Sequence, residues 1–202
     1  KTDGTLWSWG GNLNGELGLG NTTLYSSPKQ VGSLTNWLSV SSGYAVGAIK
    51  TDGTLWAWGP NFYGGLGIGN TTYYSSPKQV GALTNWSKIS NARYSMISIK
   101  TNNSLWSWGF NNEGQLGLGN TTNYSSPKQV GALTTWNSAW CSGWSGYAIK
   151  TDGTLWSWGR NTEGQLGLGN RTSQSSPNQV GSLTNWKNIF TGTARQVLVT
   201  QV

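Results

Sequence analysis

The chain contains few residue types that could carry out acid–base, nucleophilic or metal chemistry. It has no histidine and one cysteine among its 202 residues, which excludes a Ser-His-Asp triad, a Cys-His pair and histidine metal ligation. Glu113 and Glu163 are the nearest approach to paired carboxylates, but both lie in polar segments where we expect no raised pKa. The sequence therefore predicts a non-enzymatic protein without a cofactor or metal.

Glycine-rich runs such as Gly15–Gly20 have the general look of a phosphate-binding loop. They recur in every quarter of the chain, lack the lysine of a P-loop and open no helical pattern. We therefore interpret these runs as bends between short strands.

One ten-residue phrase, KTDGTLWSWG or a close variant, recurs about every fifty residues and divides the chain into four units. Its copies are Lys1–Gly10, Lys50–Gly59, Lys100–Gly109 and Lys150–Gly159. Twelve of the 14 tryptophans occupy three repeated positions, and only Trp140 and Trp144 lie outside them. Three tryptophans do not give one unit a sufficient core, so the units must pack against one another.

We divide the chain into blade repeats at 1–50, 51–100, 101–150 and 151–202, of which the first begins in the middle of a blade and the last is atypical. Asp52-Gly53 predicts a hairpin with a type I′ turn. A glycine-rich short strand and bend over Leu66–Asn70 and a third short strand over Lys78–Val80 follow in the same unit. About four short strands per unit, with no helical periodicity, predict an all-β propeller built from four-stranded blades.

The pattern L-W-x-W-G-x-N-x-x-G-x-L-G-x-G-N, followed by S-S-P-x-Q-V, runs through Leu155–Asn170 and Ser175–Val180. In these residues all four units resemble the repeats of the regulator of chromosome condensation family, and the tryptophan content is similar to bacterial and phage members. The resemblance implies a β-propeller of about seven blades. The chain departs from the family pattern where a histidine usually stands, since it has Ala45, Ser95, Ser145 and Arg195 there.

The two ends of the chain suggest how the ring is completed. The chain begins inside the repeated phrase, and its last unit drifts from the others. We therefore expect an N-terminus cut from a longer propeller and a natural C-terminus, with self-closure or self-association of two chains as alternative ways to complete the ring.

The net charge of +7 reflects a scarcity of acids more than a basic cluster. Lysines recur at two positions of the unit, and we expect both sets to form a solvated rim that attracts acidic partners weakly: Lys29, Lys78 and Lys128, and Lys50, Lys100 and Lys150. Their even spread argues against nucleic-acid binding. No apolar run is long enough to span a bilayer. By analogy with similar repeat arrays, we expect an extracellular, cell-surface or virion-associated protein.

Partner-specific chemistry must come from positions that differ between units, because the repeated positions are explained by the fold. One variable set, before the strand that we expect to be the inner strand of each blade, would gather near one mouth of the ring: Tyr44, Tyr94, Trp144 and Arg195. A second set, in the loop after each W-G dipeptide, includes Tyr63, Phe110 and Arg160. Tyr, Trp and Arg are enriched at binding hot spots. The alternative is that these aromatic residues pack between blades.

We therefore expect a non-catalytic binding or structural module that presents variable loops on one propeller face to a protein or glycan partner. The resemblance also implies two alternatives. One is a guanine-nucleotide exchange factor for a small GTPase, as the founding member of the family is. The other is a proteinaceous enzyme inhibitor, similar to a bacterial β-lactamase inhibitor of this propeller type.

Overall fold

A computed structural model describes residues 2–191 and 197–201 as antiparallel β-strands joined by turns and one short 3₁₀ turn, Phe62–Gly64. The strands are β1 (Trp7–Gly10), β2 (Tyr25–Gln30), β3 (Trp37–Ser42), β4 (Val46–Lys50), β5 (Leu55–Gly59), β6 (Tyr74–Gln79), β7 (Trp86–Asn91), β8 (Ser95–Lys100), β9 (Leu105–Gly109), β10 (Tyr124–Gln129), β11 (Trp136–Cys141), β12 (Ser145–Lys150), β13 (Leu155–Gly159), β14 (Gln174–Gln179), β15 (Trp186–Thr191) and β16 (Val197–Gln201). No helix in this described part is long and apolar enough to cross a membrane.

The strands form three complete blades of four strands, β3–β6, β7–β10 and β11–β14, between two-stranded sheets β1–β2 and β15–β16. Successive first strands contact one another, β3 with β7, β7 with β11 and β11 with β15, and so lie innermost. The strands predicted to be innermost, β4, β8 and β12, are instead second in their sheets. Strands β6, β10 and β14 lie at the outer edges. This arrangement confirms the predicted all-β propeller blades.

The blades are out of phase with the sequence units. In the first complete blade, β3 and β4 come from residues 1–50, whereas β5 and β6 come from residues 51–100. The recurring phrase is therefore a hairpin inside one sheet, and each complete blade joins two successive units.

The hairpin turn differs from the predicted type I′ turn. The N–H of Gly53 donates to the carbonyl of Lys50 at 2.9 Å, and the N–H of Lys50 donates to the carbonyl of Thr54 at 3.0 Å. Gly53 has φ +75°, whereas Asp52 is not among the positive-φ residues. The prediction was wrong because the connection has three residues, and a type I turn followed by a left-handed glycine closes such a loop.

Of the short strand and bend predicted over Leu66–Asn70, the bend is present, with positive φ at Gly67 and Gly69, and the strand is not. The strand predicted at Lys78–Val80 instead runs over Tyr74–Gln79 and contains Pro77. Proline is tolerated there because β6 is an edge strand, where no ladder partner needs its missing N–H.

The hydrophobic core lies between the blades. Leu55 and Ala57 of one blade pack in the same buried cluster as Trp108 of the next. The indole Nε1–H of Trp108 donates to the carbonyl of Gly65 in the preceding blade at 3.0 Å. Trp58 and Trp158 make the same bond to the carbonyls of Glu16 and Gln115. Each blade is thus held to its predecessor by both apolar packing and a buried hydrogen bond.

The two lysine sets do not share one environment. Lys29, Lys78 and Lys128 are exposed, as expected. Lys50 and Lys100 are only 5% exposed and Lys150 is half-buried, so the predicted solvated rim is wrong for this set. The Lys100 ammonium lies 3.6 Å from the ring centroid of Trp106 and 4.7 Å from that of Trp86, and burial lowers its pKa. A cation between two indoles gains cation–π attraction in place of water.

We expect Trp108→Phe to destabilise the protein by about 2–4 kcal/mol, because it leaves the Gly65 carbonyl without its donor and opens a gap between two blades. Trp9→Phe is the matched control. Trp9 holds the same place in the repeated phrase but is 59% exposed, so its change should cost at most about 0.5 kcal/mol. Urea unfolding followed by circular dichroism measures both, and equal losses would contradict the inter-blade role of the indole.

We expect Gly53→Ala to be more destabilising than Gly81→Ala. Both glycines have positive φ, so each alanine carries a left-handed penalty of about 1–2 kcal/mol. A Cβ on Gly53 would also lie 2.1 Å from the Thr84 carbonyl oxygen, whereas a Cβ on Gly81 meets nothing within 4 Å. Overpacking should add about 1–3 kcal/mol at Gly53. Thermal unfolding of the two variants checks the difference, and indistinguishable melting temperatures would contradict it.

Candidate binding surface

A buried asparagine in each unit clamps together the two halves of the loop that follows the W-G dipeptide, at one end of its blade. The Asn61 Nδ2 donates to the carbonyls of Asn70 at 2.9 Å and Thr72 at 3.0 Å. Its Oδ1 accepts the N–H of Leu66 at 2.8 Å. Asn12, Asn111 and Asn161 make the equivalent bonds. The residues between these anchor points are therefore held in fixed positions although their identities vary.

The turn between the first and second strands of a blade lies at the same end. The N–H of Phe110 donates to the carbonyl of Tyr94 at 3.0 Å, and the N–H of Arg160 donates to the carbonyl of Trp144 at 2.9 Å. Main-chain bonds thus attach the loop after the W-G dipeptide to the turn that carries the aromatic residue. The two variable sets identified in the sequence meet at this point.

Seven aromatic side chains from three blades form one continuous cluster, which we call the aromatic patch: Tyr44, Phe62, Tyr63, Tyr73, Tyr94, Phe110 and Trp144. Tyr44 and Tyr94 have ring centroids 5.4 Å apart, across the boundary between the first two complete blades. Phe110 and Trp144 lie 5.6 Å apart across the next boundary. Most of the pairs are edge-to-face, a geometry that stabilises aromatic contacts.

The patch has a buried floor and an exposed upper surface. Phe110 is buried. For this residue the alternative stated above, that the aromatic side chains pack between blades, is therefore correct. Tyr94 and Trp144 are half-buried, and the remaining four rings are 39–47% exposed: Tyr44, Phe62, Tyr63 and Tyr73. The exposed rings are therefore supported from below and available from above.

Five of the seven candidate residues named from the sequence lie in the patch: Tyr44, Tyr94, Trp144, Tyr63 and Phe110. Arg160 adjoins it through its main chain, but its Nε donates to the Thr162 hydroxyl at 2.9 Å. Arg195 lies outside the described residues. Their role in binding a partner stays a prediction at this point.

Two members of the patch, Phe62 and Tyr73, were not among the candidates. Phe62 stands at a variable loop position beside Tyr63, and Tyr73 aligns with the dissimilar residues Leu24, Asn123 and Ser173. Their rings are 5.1 Å apart, because the Asn61 clamp folds the two ends of this one loop against each other. Variation at the position of Tyr73 was the available signal, but sequence spacing alone does not show that the end of the loop returns to its start.

The electrostatics of the patch are those of neutral aromatic side chains next to a cation. The Arg93 guanidinium lies 5.0 Å from the centroid of Tyr94. Burial, together with the nearby phenol groups of Tyr44 and Tyr94, raises the pKa of Tyr73. Tyr73 therefore stays protonated at neutral pH and can donate a hydrogen bond to an acceptor on a partner.

Within the described residues, no group of three or more His, Cys, Asp or Glu side chains could hold a metal ion. Cys141 is buried, and burial raises the pKa of its thiol. Because the thiolate is the reactive form, this cysteine is a packing residue.

Comparison with protein-family models matches the regulator of chromosome condensation (RCC1) repeat at residues 3–48, 52–95, 102–149 and 152–194. No curated protein sequence matches the chain.

Several solved structures are similar to the chain in fold. Human WBSCR16 aligns with a TM-score of 0.86 and 21% identity over 99% of this chain and 54% of its own. Prp20p from Saccharomyces cerevisiae aligns with a TM-score of 0.80 and 18% identity over 92% of this chain and 48% of its own. Yeast RCC1 (Prp20) bound to Kap60 aligns with a TM-score of 0.80 and 19% identity over 98% of this chain and 50% of its own. The chain thus spans about half the length of these propellers.

The family model covers most of the chain, and the blades described above match the fold of these propellers. The protein belongs to the RCC1 repeat family.

Proposed function

We propose that this chain is a non-catalytic protein-binding module and that the aromatic patch is the surface that contacts the partner. The observation that carries the proposal is the position of the patch. Residues repeated in all units build the blades and their joints, whereas the patch is assembled from positions at which the units differ.

The chemistry of the patch supports protein recognition. Contiguous exposed aromatic surface is uncommon on a protein that binds nothing, and Tyr and Trp dominate binding hot spots. None of the phenol groups of Tyr44, Tyr63, Tyr73 and Tyr94 has a hydrogen-bond partner among the described residues. Each can therefore donate to a carbonyl or carboxylate of a partner.

The loops that carry the patch are also preorganised. The asparagine clamp and the main-chain bonds to Tyr94 and Trp144 fix the loops before any partner arrives. Because little side-chain and loop freedom remains to be lost, more of the contact energy is available as affinity.

Related propellers support protein binding as the general role. The structural report on Prp20p concerns its binding properties to Gsp1p and histones, and yeast RCC1 has been crystallised with Kap60. These partners belong to those proteins. At 18–19% identity and half the length, the likeness supports the class of function for this chain and does not supply its partner.

The exchange-factor and enzyme-inhibitor hypotheses are two specific forms of protein binding, and no residue of the patch distinguishes them. A glycan partner, completion of a ring by self-association, and a location at a cell surface or on a virion also stay predictions. Nucleotide-release assays on a panel of small GTPases and inhibition assays on a panel of β-lactamases would identify the two specific forms directly.

The proposal predicts that Tyr44→Ser combined with Tyr73→Ser weakens partner binding while the fold is retained. Both side chains are 39% exposed, so the loss of stability should stay within about 1–2 kcal/mol. The measurement is binding of the labelled wild-type chain and the variant to a microarray of purified proteins, followed by titration of each hit. We expect the affinity for hits to fall by about tenfold or more.

Leu83→Ser combined with Leu133→Ser is the matched control. These leucines are each 48% exposed and lie in loops beside the hairpin turns, at the opposite end of the blades. The control removes as many apolar side chains and should leave every hit unchanged. Hits that bind the patch variant as tightly as wild type, or an array without hits, would overturn the proposal.

A further inference from the structure

The loop of the second unit differs from the equivalent loop of the other three. Elsewhere a carboxylate or amide side chain closes the loop by accepting the main-chain N–H two residues earlier. The bonds are Asn14 to Glu16 at 2.8 Å, Glu113 to Gln115 at 2.9 Å and Glu163 to Gln165 at 2.9 Å. The second unit has Gly65 at this position and so lacks the closing bond.

The backbone of Tyr63 changes accordingly. Tyr63 has φ +57° and ψ +19°, in the left-handed region, whereas Asn14, Glu113 and Glu163 are not among the positive-φ residues. A bulky aromatic residue is unfavourable in this region. Residues held in such conformations occur most often at binding and catalytic sites, where the neighbouring structure enforces them.

The unusual backbone places the Tyr63 ring in the patch. Its centroid lies 4.6 Å from that of Phe110 and 5.6 Å from that of Tyr94, and the side chain is 47% exposed. A side chain at Gly65 would crowd this arrangement, because a Cβ there would lie 2.9 Å from the Tyr94 carbonyl oxygen. Gly65 and Tyr63 therefore depart from the other units together, and both departures favour the same ring position.

The same substitutions remove charge from the loop. Units three and four carry Glu113 and Glu163 where the second unit carries Tyr63. No charged side chain remains between Pro60 and Gly65. A partner carboxylate or ammonium buried against this loop would find no counter-charge in it. The nearest cation of the patch, the exposed Arg93 guanidinium, lies over the Tyr94 ring, so the surface that the loop itself presents is complementary to an uncharged one.

We propose that Tyr63, in its left-handed conformation, is the specificity-determining residue of the patch, and that the partner is a protein that places an uncharged, apolar side chain against it. This inference rests on the proposed function, and it adds which residue selects the partner and what that residue selects for.

The test uses a displayed library of random dodecapeptides selected on the full wild-type chain. Enriched peptides should be rich in apolar residues and poor in Asp, Glu, Lys and Arg. They should bind Tyr63→Glu, which restores the residue of units three and four, about tenfold or more weakly. The conservative Tyr63→Phe should keep binding within about twofold, and both variants should melt within about 4 °C of wild type.

The Tyr44→Ser/Tyr73→Ser variant separates the two proposals. Peptides that lose binding to that variant but bind Tyr63→Glu like wild type would overturn the inference and leave the proposed function standing. Peptides enriched in charged residues would overturn the inference in the same way. Peptides that bind every patch variant equally, or a selection that enriches none, would overturn both.

Discussion

The structure depends on one repeated hydrogen bond, from the indole N–H of the second tryptophan in each of the last three phrases to a carbonyl of the preceding blade. In Trp58, Trp108 and Trp158 the ring fills the space between two sheets while its single donor finds main chain. The glycines that face these rings follow from the same contact, because a Cβ on Gly67 would lie 2.6 Å from the Trp108 Nε1. The same contact between blades therefore requires both the repeated tryptophan and the glycine that faces it.

A scaffold with so many repeated contacts leaves few positions at which the units can differ in sequence. The asparagine clamps, the hairpin turns and the lysines between indole rings recur from blade to blade. The differences between units lie at one end of the blades, where the loop backbone is fixed at its anchor points and the residues between those points vary in identity. In this chain the first three units place aromatic residues at these positions, so the patch lies across the complete blades rather than on any single one.

The repeat period, the strands and the blade architecture could be predicted from the sequence because twelve tryptophans and the turn residues recur in register. Comparison of the units also led to five members of the patch. The burial of Lys50 could not be predicted, because periodicity does not show that two indoles stand on either side of it. Nor could the backbone of Tyr63, since it follows from a side-chain bond that Gly65 cannot make.

The half-unit offset between sequence repeats and sheets bears on how such arrays change length. Because β4 and β5 belong to different units but to one sheet, duplication or loss of a unit between equivalent points adds or removes the strands of one whole blade. No sheet is left with an unpaired edge at the junction. Recombination between near-identical units can therefore change the number of blades while every blade stays complete. Each duplicated or lost unit also adds or removes its own variable loops.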